Sequence, residues 1–129
     1  MSIQEEGIKA EQWILGRFIK RGIKCFQPDA ISLENGEYIL NEVKHQERFL
    51  APPFDGHGLP LWQIKARLNF QEKTNIRCRL IVKEKESNLV FWQWLDILEK
   101  KELKDTNGIK PRRIYNLKSF NKAEIKDFI

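Results

Sequence analysis

Pro28-Asp29-Ala30-Ile31-Ser32-Leu33-Glu34-Asn35-Gly36-Glu37-Tyr38-Ile39-Leu40-Asn41-Glu42-Val43-Lys44 is the stretch that decides the fold. Asn35-Gly36 lies between two apolar-rich runs. A type I′ turn needs φ > 0 at both central residues, and Asn-Gly is the pair that tolerates it best. With those two residues as the loop, the register follows: Glu34 opposite Glu37, Leu33 opposite Tyr38, Ile31 opposite Leu40, Asp29 opposite Glu42. Opposed residues have Cβ atoms roughly 5 Å apart, and like charges there are destabilising. Two facing carboxylates on an apolar strip therefore call for a reason, such as a divalent cation. Period-2 alternation puts Lys44 on the face of Glu42 and turns Val43 away. An ordinary amphipathic hairpin with charges at a frayed end fits the same spacing.

A second signal lies upstream. Residues 4–20 read as a helix, with Ile8, Leu15 and Phe18 on one stripe and Ile14 and Ile19 at its edges. Glu11 falls near the middle of that stripe. A carboxylate there costs roughly several kcal/mol unless it is paired or bound to metal. A wet helix end, or a structural pair with a lysine or arginine, accounts for it as well.

These residues in this order resemble a known superfamily. An acidic residue on a first helix (Glu11), then Pro28-Asp29, then Glu42-Val43-Lys44 at the end of the next strand is similar to the PD-(D/E)XK nucleases. The order Gly7, Glu11, Gly22, Pro28-Asp29, Asn35-Gly36, Glu42-Val43-Lys44 is similar to its Holliday junction resolvase-like and phage-encoded small members. The resemblance covers about residues 4–84 and leaves 85–129 as a C-terminal elaboration of one nuclease domain. It implies an α/β, restriction endonuclease-like fold with a mixed central β-sheet flanked by α-helices. It also implies a metal-dependent endonuclease acting on branched DNA. Asp29, Glu42 and the Val43 carbonyl would hold Mg²⁺ or Mn²⁺, with Glu11 acting through water or a second ion. Lys44 would orient the attacking water or hold a phosphoryl oxygen. Gln63, at the start of the helix after Glu-x-Lys, matches a glutamine found in some branches. The resemblance further implies a homodimer in a bacterial or phage-infected cytoplasm, with no organic cofactor. A restriction-like, homing or nicking endonuclease is the nearest alternative, and a non-catalytic DNA-binding protein on the same fold is the alternative of another class.

Composition agrees. A chain of 129 residues has the size of one domain, and its net charge of +5 suits a polyanionic partner without requiring one. No apolar run is long enough to span a membrane, and no signal-peptide pattern is present. Cys25 and Cys78 lie in apolar stretches without metal-ligand spacing and read as reduced core residues. Lys65, Arg67, Arg77, Arg79, Lys110, Arg112 and Arg113 are the candidate DNA contacts. Trp62, Trp92 and Trp94 could stack on bases, although core burial is the simpler reading.

The remaining elements are expected as follows. A short strand covers 23–27, and hairpin strands cover 29–33 and 38–46. Residues 47–60, with three prolines and two glycines, form an irregular loop. Asp55-Gly56-His57-Gly58 within it reads as a mobile loop beside the site, or less simply as a separate metal site. His45 should face away from Lys44. A helix covers 61–73 and a strand 76–82. A strand at 89–92 leads into a helix to about 103, 104–113 is a polar connection, and 114–117 is a short strand. Asn121-Lys122-Ala123-Glu124 resembles a capping box that opens a terminal helix.

Overall fold

The computed structural model describes residues 3–21 and 30–127. Helix α1 spans Ile3–Lys20. Strands β1 (Ala30–Glu34) and β2 (Glu37–Gln46) form the expected hairpin. Their register runs from Glu34↔Glu37 through Ile31↔Leu40 to Ala30↔Asn41. Both turn residues have positive φ, 52° at Asn35 and 80° at Gly36, as a type I′ turn requires. The strand expected at 23–27, Cys25 and Asp29 lie outside the described residues, as does the side chain of Glu11.

Chain order continues with β3 (Phe49–Ala51), β4 (Phe54–Pro60), α2 (Leu61–Thr74), β5 (Arg77–Glu84), β6 (Leu89–Trp94), α3 (Leu95–Leu98), β7 (Leu103–Asp105), β8 (Arg112–Asn116) and β9 (Asn121–Glu124). Two sheets result. The central one is mixed, in the order β1-β2-β5-β6-β9, with β2 and β5 parallel and the other pairs antiparallel. The second is antiparallel, in the order β3-β4-β8-β7. This is the α/β class with a mixed central sheet that the motif order implies. Pro60 ends β4 and stands at the N-cap of α2, since it has no N–H with which to extend the ladder. It ends at Asn75, whose φ of 60° closes the helix with an N–H to Gln71 O bond of 2.9 Å.

One hydrophobic core joins both sheets. Leu40, Cys78, Leu80, Val82 and Phe91 come from the central sheet, Leu59 and Tyr115 from the second, Ile64 from α2, and Leu95 and Leu98 from α3. Helix α2 touches β4, β5 and β8, so it packs where the sheets meet. Burial pushes the Cys78 thiol up to about 11, which keeps it protonated and unreactive.

Four expectations are corrected. Residues 47–60 are a hairpin, β3–β4, not an irregular loop. Its glycines are there because β8 presses close: a Cβ would lie 2.1 Å from Tyr115 O at Gly56 and 1.8 Å from Arg113 O at Gly58. The helix expected to reach 103 is a single turn, because Gln93 and Trp94 stay paired with Leu80 and Arg79. The polar 104–113 connection opens as β7 and closes as β8. Residues 121–124 do not cap a helix but add β9 to the open edge of β6, and a short 3₁₀ turn, Ile125–Asp127, follows. Among the described residues, no helix is long and apolar enough to cross a membrane.

Candidate active site

Alternation along β2 places Leu40, Glu42, Lys44 and Gln46 on the face that meets α2 and the second sheet, beside Cys78, Leu80, Val82 and Glu84 of β5. Glu42 is only 2% exposed. Burying a carboxylate costs roughly several kcal/mol, even after the protein relaxes, unless donors replace its water. Helix α2 supplies them. Gln63 and Arg67 are one turn apart, so both side chains reach the same strand. Gln63 Nε2 donates to Glu42 Oε1 at 3.0 Å, and Arg67 Nε donates to the same oxygen at 2.6 Å. Lys44 Nζ stands 3.9 Å from Glu42 Oε2, at ion-pair rather than hydrogen-bond distance. Its side chain is 30% exposed and forms the solvent side of the cluster.

The structure thus gathers Glu42, Lys44 and Gln63, with the Val43 backbone between the first two. Arg67 joins them in a different place from the one expected. Read as a DNA contact, it is instead buried at 7% exposure and bonded to Glu42. The signal was present in the sequence, since Gln63 and Arg67 share a helix face, but only the pairing of α2 with β2 shows what that face meets.

Arg77 and Arg79 were expected near the metal face and lie on the other side of the sheet, because their β2 partners are Ile39 and Asn41. Arg77 holds Asp96 through both carboxylate oxygens, at 2.9 and 2.8 Å, and keeps its pKa below the ordinary value. Arg79 bonds Glu34 and the Asn41 side chain, and lowers the Glu34 pKa likewise. Arg113 binds Asp105 and Glu99. Lys65, Lys110 and Arg112 meet elsewhere, around Trp62, in a groove of about 730 Å³ between the start of α2 and the approach to β8. Trp62, expected in the core, is 70% exposed, while Trp92 and Trp94 are half-buried.

His57 also moves from a mobile loop to a strand, and it is fully buried. Its Nε2 lies 2.7 Å from Glu84 Oε2, and its Nδ1 lies 3.0 Å from Gln46 Oε1. Arg48 bonds both oxygens of Glu84, at 3.1 and 3.2 Å. Burial pushes the His57 pKa below its usual value, and the Glu84 bond opposes this without reversing it. Burial also pushes Glu84 up, but bonds from Arg48 and His57 outweigh it and hold the carboxyl below its usual range. Asp55 and His57 do not form a metal site: among the described residues no three histidine, cysteine, aspartate or glutamate side chains come together as a ligand group.

Hard oxygen donors suit Mg²⁺ or Mn²⁺ rather than a softer metal. Glu42 and the Val43 carbonyl are donors of that kind.

No family model matches the chain, and no curated protein matches it. Among solved structures it is similar to Hjc of Archaeoglobus fulgidus, a Holliday junction resolvase from an archaeal hyperthermophile. The TM-score is 0.49 at 16% identity, covering 95% of this chain and 93% of that one.

Proposed function

We propose that this chain is a metal-dependent DNA endonuclease that prefers branched DNA and works as a homodimer. The observation that carries the reading is the buried Glu42 carboxylate, oriented by Gln63 and Arg67, with Lys44 beside it on the same strand face. The Glu42-Val43-Lys44 triplet stands in the motif order of the PD-(D/E)XK nucleases, after Glu11 and Pro28-Asp29. Glu42, Asp29 and the Val43 carbonyl would hold Mg²⁺ or Mn²⁺, and Glu11 would act from α1. Such an ion, when bound, supplies neutralisation of the charge that develops on the phosphoryl oxygens.

The chain's own residues have distinct tasks. Gln63 and Arg67 fix the Glu42 carboxylate so that it need not reorganise during the reaction. Lys44 holds the attacking water or a phosphoryl oxygen from the solvent side. Water oxygen forms the new bond to phosphorus as its proton passes to solvent, the P–O bond to the leaving strand breaks, and the departing oxygen takes a proton from solvent to become a hydroxyl. Branched rather than sequence-specific DNA suits a chain with little surface for reading base edges.

The 2.6 Å Arg67–Glu42 contact favours a second reading, in which the pair is purely structural and the protein binds DNA without cutting it. Incubating the protein with plasmid, linear duplex, single strand and a four-way junction separates the two. The nuclease reading expects cleavage with Mg²⁺ and none with EDTA, strongest on the junction. DNA binding without cleavage of any of the four would establish the second reading. A monomer by light scattering would remove the paired-cut part of the proposal.

A further inference from the structure

Seven cations were expected to touch DNA, and the structure divides them. Arg67, Arg77, Arg79 and Arg113 are each committed to a carboxylate of the chain itself. Lys65, Lys110 and Arg112 have no ion pair among the described residues, and all three line the groove around Trp62. Asp105 is near enough for Lys65 to help lower its pKa, but Arg113 is the residue that binds it. Among the described residues, no acidic side chain lines the groove. Its apolar part is unusual for a surface: Trp62 is 70% exposed and Ile109 99%, with Pro60, Leu61 and Pro111 between them.

The groove is also firmly built. Leu61 N–H donates to Pro111 O at 3.0 Å, tying the start of α2 to the segment before β8. The Arg112 guanidinium lies 5.5 Å from the Phe49 ring centre, and its Nε is buried without a hydrogen-bond partner among the described residues. Trp62 directly precedes Gln63, so the same helix presents one side to Glu42 and another to the groove.

A duplex offers phosphates but keeps its base faces stacked inside, so it cannot cover an exposed indole. An unpaired nucleotide offers both a phosphate for the cations and a base face for the ring. A cleft of about 730 Å³ has room for a splayed nucleotide and not for a duplex. We infer that this groove binds single-stranded DNA, with a base stacked on Trp62 and its backbone held by Lys65, Lys110 and Arg112. Under the endonuclease reading, on which the choice of DNA rests, the groove takes the unpaired strand at a branch point while α2 holds the cleavage carboxylate next to it.

The test reads binding alone, with the full chain in EDTA. Fluorescein-labelled oligo(dT) and a duplex of matched length are titrated by anisotropy. Trp62→Ala should weaken oligo(dT) binding by about 10-fold and leave duplex affinity almost unchanged. Trp62→Tyr should restore most of the loss, since its ring still stacks. Lys110→Ala should flatten the salt dependence of oligo(dT) binding. The inference is overturned if the wild type does not bind oligo(dT), if Trp62→Ala binds it as the wild type does, or if both DNAs lose affinity equally. Junction cleavage in Mg²⁺ is read beside binding on the same variants. Cleavage without a Trp62 effect would therefore sink the groove alone, and a Trp62 effect without cleavage would sink the nuclease alone.

Discussion

Glu42 and Glu84 are both buried on the same face of the central sheet, yet their surroundings differ. The partners of Glu84 come from separate places. Arg48 follows β2 and takes both carboxylate oxygens, and His57 reaches across from β4 in the second sheet. Phe91 lies 5.4 Å from the His57 ring and Phe120 6.4 Å, closing the cluster with apolar walls. Among the described residues, the side-chain hydrogen bonds to Glu42 come from α2, Gln63 and Arg67 both donating to Oε1, and partly exposed Lys44 stands near Oε2. A carboxylate linked across two sheets holds tertiary structure. Under the proposed function, a carboxylate aimed by α2 is placed for chemistry.

The largest difference should appear in metal binding. Glu42→Gln is expected to lose Mn²⁺ binding, measured by calorimetry, while Glu84→Gln keeps it. Retained binding in Glu42→Gln would break the contrast at its root. Next comes the cleavage rate of Lys44→Ala, expected to fall roughly 10²–10⁴-fold with DNA affinity largely kept, since a group acting on the attacking water or phosphoryl oxygen acts in the transition state. A fall in affinity with an unchanged single-turnover rate would make Lys44 a binding residue.

Stability should show the reverse order. Glu84→Gln leaves Arg48 and His57 facing a neutral amide and is expected to cost about 2–4 kcal/mol, reduced from a fully buried pair because Arg48 reaches solvent. Chemical denaturation measures it, and an unchanged midpoint would refute the structural role.

The smallest effect is on pH. His57 has a lowered pKa in the folded chain, so the unfolded state binds its proton first, and stability should begin to fall as pH drops below about 6.5. Glu84 is also lowered, so its contribution is present above about 4.5 and is lost as pH falls further toward its folded value. Thermal unfolding across this range should show both losses, and His57→Gln should remove the upper one.

The hairpin was legible because Asn35-Gly36 admits few alternatives, and α2 and β5 because their apolar spacing is regular. The β3–β4 hairpin was not, since Gly56 and Gly58 look like loop residues until β8's backbone is seen against them. Strand β9 was hidden for a related reason: its four residues carry a helix-start pattern, and the open edge of β6 overrides it. Around Glu42, the residues and their strand face could be read in advance. The role of Arg67 could not, because its own helix gives no hint of which strand lies opposite. Asp29 and the side chain of Glu11 fall outside the described residues, so their part rests on the motif order.

One comparison tests the central claim most directly: Mg²⁺-dependent cleavage of a four-way junction by Glu42→Gln and Glu84→Gln, at equal concentrations of folded protein. The account predicts a loss on the order of 10³-fold for Glu42→Gln, as several kcal/mol of charge stabilisation disappear, and a rate within about 3-fold of wild type for Glu84→Gln. Equal rates in the two variants, or the greater loss in Glu84→Gln, would contradict it.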